Sequence, residues 1–101
     1  MKINFTDTFS KWLNSLKNKA AYNVIINRLK RIEETGNFGD CKSVGNGIFE
    51  IRIKYGCGYR IYYTFENNEL VILLCGGDKS TQQDDITKAK KMIKIGKKND
   101  R

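Results

Sequence analysis

Apolar residues in the first third of the chain recur at helical intervals. Phe9, Trp12, Leu13 and Leu16 stand at i, i+3, i+4 and i+7 and form one stripe. Ala21, Ile25, Leu29 and Ile32 continue at spacings of four, four and three, flanked by Tyr22 and Val24. The pattern predicts two helices, the first starting near Asp7 or Thr8 as N-cap and separated from the second by the polar Lys17-Asn18-Lys19. Gly36 supplies the stop. The period then changes to two. Phe49, Ile51, Ile53 and Tyr55 alternate with Glu50, Arg52 and Lys54, which predicts a strand with one apolar and one charged face. Cys41 to Val44 precedes it as a short strand, joined through Gly45-Asn46-Gly47. A third strand follows Gly56-Cys57-Gly58. After Asn67-Asn68, the apolar run Leu70 to Cys75 reads as a strand buried on both faces, ended by Gly76-Gly77-Asp78-Lys79. Ser80 as N-cap with Gln83 three residues on forms a capping box for a last helix, whose thin apolar stripe is Ile86, Ala89 and Ile93.

The expected architecture is therefore α+β: an N-terminal helical hairpin packed on a four-stranded, mostly antiparallel sheet, followed by a C-terminal helix. The 101 residues suffice for one domain with one modest core. That domain is expected at residues 1–95, with a basic tail at 96–101.

Composition narrows the chemistry. The net charge is +8, which suits a polyanionic partner. It is unevenly placed: residues 88–101 hold seven basic residues and one acid, whereas residues 1–87 hold 12 basic and 10 acidic groups. Histidine is absent, so no imidazole base, triad or metal ligand exists. Cys41, Cys57 and Cys75 form no C-x-x-C pair, which argues against zinc and against a disulfide framework. No cofactor motif occurs. No apolar run approaches the ~20 residues of a membrane span, and a reduced, cytoplasmic protein is expected.

The charged face of the hairpin carries the candidate site. With a three-residue turn at Gly56-Cys57-Gly58, Lys54 is expected opposite Arg60 and Arg52 opposite Tyr62. Like charges placed directly opposite are destabilising unless solvated or bridged by an anion, and a nucleic-acid phosphate is the leading candidate anion. Lys79 follows the last strand at a loop-to-helix junction, where free backbone N–H groups favour anions. Tyr62 shares the face of Arg60 and is a candidate for base stacking. Tyr55 and Tyr59 flank the turn. Such a set suits RNA cleavage, because RNA provides its own nucleophile in the 2′-hydroxyl. The protein has only to align that group, accept its proton and stabilise the developing charge. Lys54, crowded by arginine, is the expected base.

The stretches KWLNSLKNKAA, RLKRIEETGNFGDCKSVGNGIFEIRIKYGCGYRIYY and LVILLCGGDKSTQQDDITKAK resemble the RelE/ParE superfamily of type II toxins, closest to its HigB-like group of addiction module killer proteins. The resemblance spans about residues 5–95. It implies a RelE-like fold and an mRNA endoribonuclease that acts on the ribosome and inhibits translation; with neither a histidine nor a cluster of acids in the sequence, such cleavage is expected to need no metal. It also implies a cognate helix-turn-helix antitoxin, with operator DNA bound only through the toxin–antitoxin complex. The basic residues of the family's sheet motif map onto Arg52 and Arg60, and its post-sheet lysine onto Lys79. Cys57 stands where the motif commonly has proline. The superfamily also contains ParE-like gyrase poisons without nuclease activity, which is one alternative. A non-catalytic nucleic-acid-binding protein is another.

Overall fold

The computed structural model describes residues 1–99, with side chains through Lys94. The elements run β1 (Lys2–Phe5), α1 (Asp7–Ser15), α2 (Lys19–Thr35), β2 (Cys41–Gly45), β3 (Ile48–Ile53), β4 (Tyr59–Glu66), β5 (Leu70–Asp78), a 3-10 turn (Lys79–Thr81) and α3 (Gln82–Asn99). The strands form one sheet in the order β1-β5-β4-β3-β2, with β1 parallel to β5 and all other neighbours antiparallel.

Each expected helix is present, with shifted caps. Thr6, not Asp7 or Thr8, caps α1: its hydroxyl accepts from the Phe9 amide at 3.1 Å and donates to the Leu73 carbonyl at 2.8 Å. Asn18 caps α2 by accepting from the Ala20 and Ala21 amides. Gly36 ends that helix at φ 73°, a left-handed conformation that glycine adopts without a Cβ penalty.

The sheet has five strands rather than four. The additional strand, β1, takes up the free edge of β5, pairing Ile3 with Val71 and Phe5 with Leu73. Four residues are too few to display a period, and the pairing depends on an edge brought from the far end of the chain. Phe5 then packs edge-on against Phe9 at 5.3 Å.

The sheet is the middle of three layers. On one side α1 and α2 bury Phe9, Leu13, Ile25, Leu29 and Ile32 against Ile51, Ile53, Ile61, Tyr63, Val71 and Leu73. On the other, α3 sets Ile86 and Ala89 against Ile48, Tyr62, Leu74 and Cys75. A register shift gives β5 one extra residue, Leu74, between the pairs Tyr62–Cys75 and Tyr63–Leu73. This bulge puts both Leu74 and Cys75 into the α3-side core.

Strand β5 does not stop before Gly76 but runs on to Asp78. The two glycines lie inside the ladder because both faces are occupied at close range. A Cβ at Gly76 would collide with the Trp12 ring, and one at Gly77 with Asp85 and Thr81. The expected Ser80 capping box is also replaced. Asp78 caps the 3-10 turn, accepting from the Ser80 amide at 2.8 Å and its hydroxyl at 2.5 Å, and α3 begins at Gln82. The expected basic tail at residues 96–101 falls partly on helical backbone as far as Asn99; residues 100–101 and the side chains of 95–99 lie outside the described residues.

Candidate active site

The β3–β4 hairpin closes with a loop of residues 54–58, two longer than expected. Ile53 pairs with Tyr59, so Arg52 lies directly across from Arg60 and Glu50 directly across from Tyr62. Gly56 (φ 59°) and Gly58 (φ 87°) provide the left-handed positions of this loop. The expected pairs Lys54–Arg60 and Arg52–Tyr62 are thus each displaced by two residues. Parity is preserved, so every side chain keeps its face while its partner changes. In the observed register an acid, Glu50, sits diagonal to Arg60.

Glu50 is completely buried and anchors the site. Its Oε1 accepts from Arg60 Nη1 at 3.0 Å, and its Oε2 accepts from the Tyr62 hydroxyl at 3.0 Å and from Gln82 Nε2 at 2.9 Å. A buried carboxylate is tolerated only when it is paired and hydrogen-bonded in this way. Glu50 thereby joins β3, β4 and the first residue of α3. Arg60 has a side chain only 15% exposed. Among the described residues it hydrogen-bonds through Nη1, which leaves its other N–H groups for the cleft that it lines.

Arg52 is held differently. Its Nη2 donates to Asp40 Oδ1 at 3.1 Å, with both side chains more than a third exposed. Its backbone N–H also donates to the Asp40 carbonyl at 2.8 Å. Its Nε is buried and has no hydrogen-bond partner among the described residues. The loop carrying Asp40 is fastened from below by Arg28, which donates to the Phe38 and Arg52 carbonyls. Both arginines are therefore engaged by internal carboxylates, and the open pair of cations expected from the sequence is a pair of ion pairs.

Arg52, Arg60, Lys54 and Lys79 line one open cleft of about 410 Å³, together with the Gly56–Tyr59 segment. Lys54 lies in the loop, beyond the ladder, with its side chain 86% exposed and its Nζ 4.0 Å from Asp40 Oδ2. It is not crowded against Arg60. Lys79 is exposed on the 3-10 turn. The backbone donors expected there for an anion are partly taken by the Asp78 cap, and the Ser80 hydroxyl and amide hold the Asp78 carboxyl below the usual carboxylate range.

The tyrosines separate. Tyr62 is fully buried, and burial together with Glu50 raises its phenol far above the ordinary value. It lies in the α3-side core and is not accessible to a base, contrary to expectation. Tyr55 is exposed in the loop. Tyr59 lines the cleft and packs edge-on against Trp12 at 6.4 Å; burial and the neighbouring Cys57 raise its phenol. Sequence reasoning missed Glu50, Asp40 and Gln82. Glu50 did leave a trace: it is the one acid on the charged face of an otherwise apolar strand.

The chain matches the family model described as Phage derived protein Gp49-like (DUF891) over residues 11–98. A Haemophilus influenzae protein described as uncharacterized is 57% identical over 90 residues, covering 89% of this chain and 90% of its own length. Among solved structures, an E. coli RelE toxin mutant in the free state superposes with a TM-score of 0.73 at 18% identity, covering 91% of this chain and 96% of that one. The intact E. coli RelBE toxin–antitoxin complex gives 0.63 at 18% identity over 76% and 94% of the two chains. The RelB–RelE antitoxin–toxin complex from Methanococcus jannaschii gives 0.61 at 16% identity over 79% and 94%. Three layers, five strands in this order and the extent of the match together place the chain in the Gp49-like family, with the fold of RelE toxins.

Proposed function

We propose that this protein is the toxin of a type II toxin–antitoxin pair and acts in the cytoplasm as a metal-independent endoribonuclease that cuts mRNA on the ribosome. The observation that carries this reading is the cross-strand placement of Arg52 and Arg60 on one face of β3–β4, lining a cleft with Lys79. Two arginines in register offer planar donor forks to the oxygens of one phosphodiester.

In this reading the two cations work differently. Arg60, fixed by buried Glu50, is a preorganised donor aimed at charge developing on the scissile phosphate. Arg52 exchanges its half-exposed Asp40 partner for a phosphate oxygen. Lys79 adds positive charge on the leaving-group side and returns a proton to the 5′-oxygen. Lys54, exposed at the rim and not crowded by an arginine, adds positive charge beside the phosphate, and solvent takes the proton of the 2′-hydroxyl. That hydroxyl attacks the adjacent phosphorus, the P–O5′ bond breaks, and the products are a 2′,3′-cyclic phosphate and a 5′-hydroxyl. Tyr55 and Tyr59 are the aromatic groups left to stack on a base. A helix-turn-helix antitoxin would neutralise the toxin, and operator DNA would be reached only through their complex.

Induced expression of Arg52→Ala, Arg60→Ala and the double variant, with growth and transcript ends followed together, tests the site. Loss of one preorganised donor is expected to slow cleavage about 10²–10³-fold, and wild-type cleavage is expected to survive chelation of divalent metal. Full toxicity of the double variant excludes this cleft. Growth arrest with intact transcripts and an induced DNA-damage response would indicate a gyrase poison instead.

A further inference from the structure

Beside the arginine cleft lies a smaller cavity of about 300 Å³, walled by Cys57, Asp78, Lys79 and Ser80. Cys57 and Lys79 also line the cleft, so the two spaces adjoin at the end of the sheet. Their charged groups belong to opposite faces of that sheet. Asp78 pairs directly with Tyr59, and Arg60 with Gly77. Tyr59 packs on Trp12 of α1, whereas Gly77 meets Asp85 of α3. By alternation Asp78 and Tyr59 share the α1 side, and Arg60 belongs to the α3 side. No ion pair joins Asp78 to Arg52, Lys54, Arg60 or Lys79 among the described residues.

The two oxygens of half-buried Asp78 are used unequally. Oδ1 accepts from both the amide and the hydroxyl of Ser80, whereas Oδ2 has no hydrogen-bond partner among the described residues. Capping the 3-10 turn needs an acceptor but not a charge, and serine, threonine or asparagine would supply one. A negative charge beside a phosphate cleft repels the substrate backbone. The part of an RNA chain that it attracts is a base edge carrying N–H donors.

We infer that this cavity is a base subsite in which Asp78 Oδ2 reads the Watson–Crick edge of the nucleotide 3′ to the scissile bond and selects guanine. The position rests on the nuclease reading, which sets Lys79 at the leaving 5′-oxygen. The phosphate then lies on the arginine face, and the base turns over the end of the sheet towards Tyr59 and Asp78. Tyr59 supplies the ring on which the base stacks. Guanine presents N1–H and its N2 amino group side by side, so both donate to one carboxylate. Adenine and cytosine place an unprotonated ring nitrogen beside their amino group, and uracil flanks its N3–H with two carbonyl oxygens. Each of these three bases sets a lone pair against the negative charge.

The test is equilibrium binding of the full-length protein to short 2′-O-methyl oligouridylates, which cannot be cleaved, each carrying one guanine, hypoxanthine, adenine or cytosine, or uracil throughout. The guanine probe is expected to bind about tenfold more tightly than the all-uracil one. Hypoxanthine, which is guanine without its amino group, is expected to lose about half of that advantage on a logarithmic scale. In Asp78→Asn the guanine advantage over uracil and over hypoxanthine is expected to shrink to about twofold or less. Its melting temperature should stay unchanged, since asparagine caps as well as aspartate. Equal wild-type affinity for guanine and uracil overturns the inference, as does a guanine advantage that survives intact in Asp78→Asn. Sequencing of transcript ends after induction separates this result from the fate of the nuclease reading. Guanine-selective binding without cleavage upholds the guanine site and overturns the nuclease. Cleavage with no excess of guanine 3′ to the cut upholds the nuclease and overturns the subsite.

Discussion

Arg60 and Glu50 form a fixed pair: the guanidinium Nη1 lies 3.0 Å from a carboxylate oxygen that has no contact with solvent. Removing one member of such a pair strands the other, which typically costs about 3–5 kcal/mol. Glu50→Ala is therefore expected to lower stability by about that much in urea unfolding, since Arg60, Tyr62 and Gln82 all lose their acceptor. Tyr62→Phe separates structure from chemistry. It removes one hydrogen bond to a charged group, for a loss of about 1.5–3 kcal/mol. Because Tyr62 is buried, transcript cleavage by the folded variant is expected to match wild type. A large drop in cleavage with intact folding would restore Tyr62 to the RNA-binding surface.

Arg52 and Asp40 form the opposite kind of pair, with both side chains more than a third exposed. Exposed pairs contribute about 0.2–1 kcal/mol. Asp40→Asn is expected to leave the melting temperature nearly unchanged and to tighten RNA binding up to about fivefold, because phosphate no longer competes with a carboxylate. Filter binding of a non-cleavable 2′-deoxy substrate measures this directly. Weaker binding would mean that Asp40 serves to orient Arg52 rather than to compete for it.

Gly76 marks where α1 and β5 come together. Gly76→Ala brings a methyl group against the Trp12 ring, which itself packs on Phe9 and Tyr59. Overpacking of this kind costs about 1–3 kcal/mol. The expected signs are a lower melting temperature and a shifted Trp12 fluorescence maximum. Trp12→Ala in the same chain should recover part of the loss caused by the glycine substitution, giving a non-additive double-mutant cycle.

Alkaline pH should unfold the protein early. Burial pushes the Cys75 thiol up to about 12 from 9.0, and it raises the Tyr62 and Tyr63 phenols well above 10.0. A group whose folded value is raised stabilises the fold fully below its unfolded value, and that contribution is lost as pH climbs through the folded value. Here the unfolded chain releases protons that the folded chain retains. Stability is expected to decline from about pH 9, with each such group adding about 1.4 kcal/mol per pH unit above its unfolded value. Urea midpoints between pH 8 and 11 measure the slope, and Cys75→Ala should delay its onset. In the native state at pH 8, exposed Cys41 and Cys57 should react with an alkylating reagent while buried Cys75 stays protected.

Wherever neighbours in the chain dictate structure, the local pattern was enough. The stripes Phe9–Leu13 and Ile25–Ile32, the stop at Gly36 and the two faces of β3 all follow from residues within a turn or two of each other. The same alternation puts Arg52 and Arg60 on a common face, where the β3–β4 pairing has them directly opposite. Three things depended on partners distant in sequence. Strand β1 exists because β5, some 70 residues later, presents an unpaired edge. The length of the Lys54–Gly58 loop set the register, which replaced Lys54 by Arg52 opposite Arg60 and brought Glu50 across from Tyr62. The packing of α3 then turned an alternating acid and a tyrosine into a sealed hydrogen-bonded hub. Periodicity specifies which way a side chain points. What it meets there is decided by long-range pairing, which carries no local signal because its free energy resides in the contact between segments.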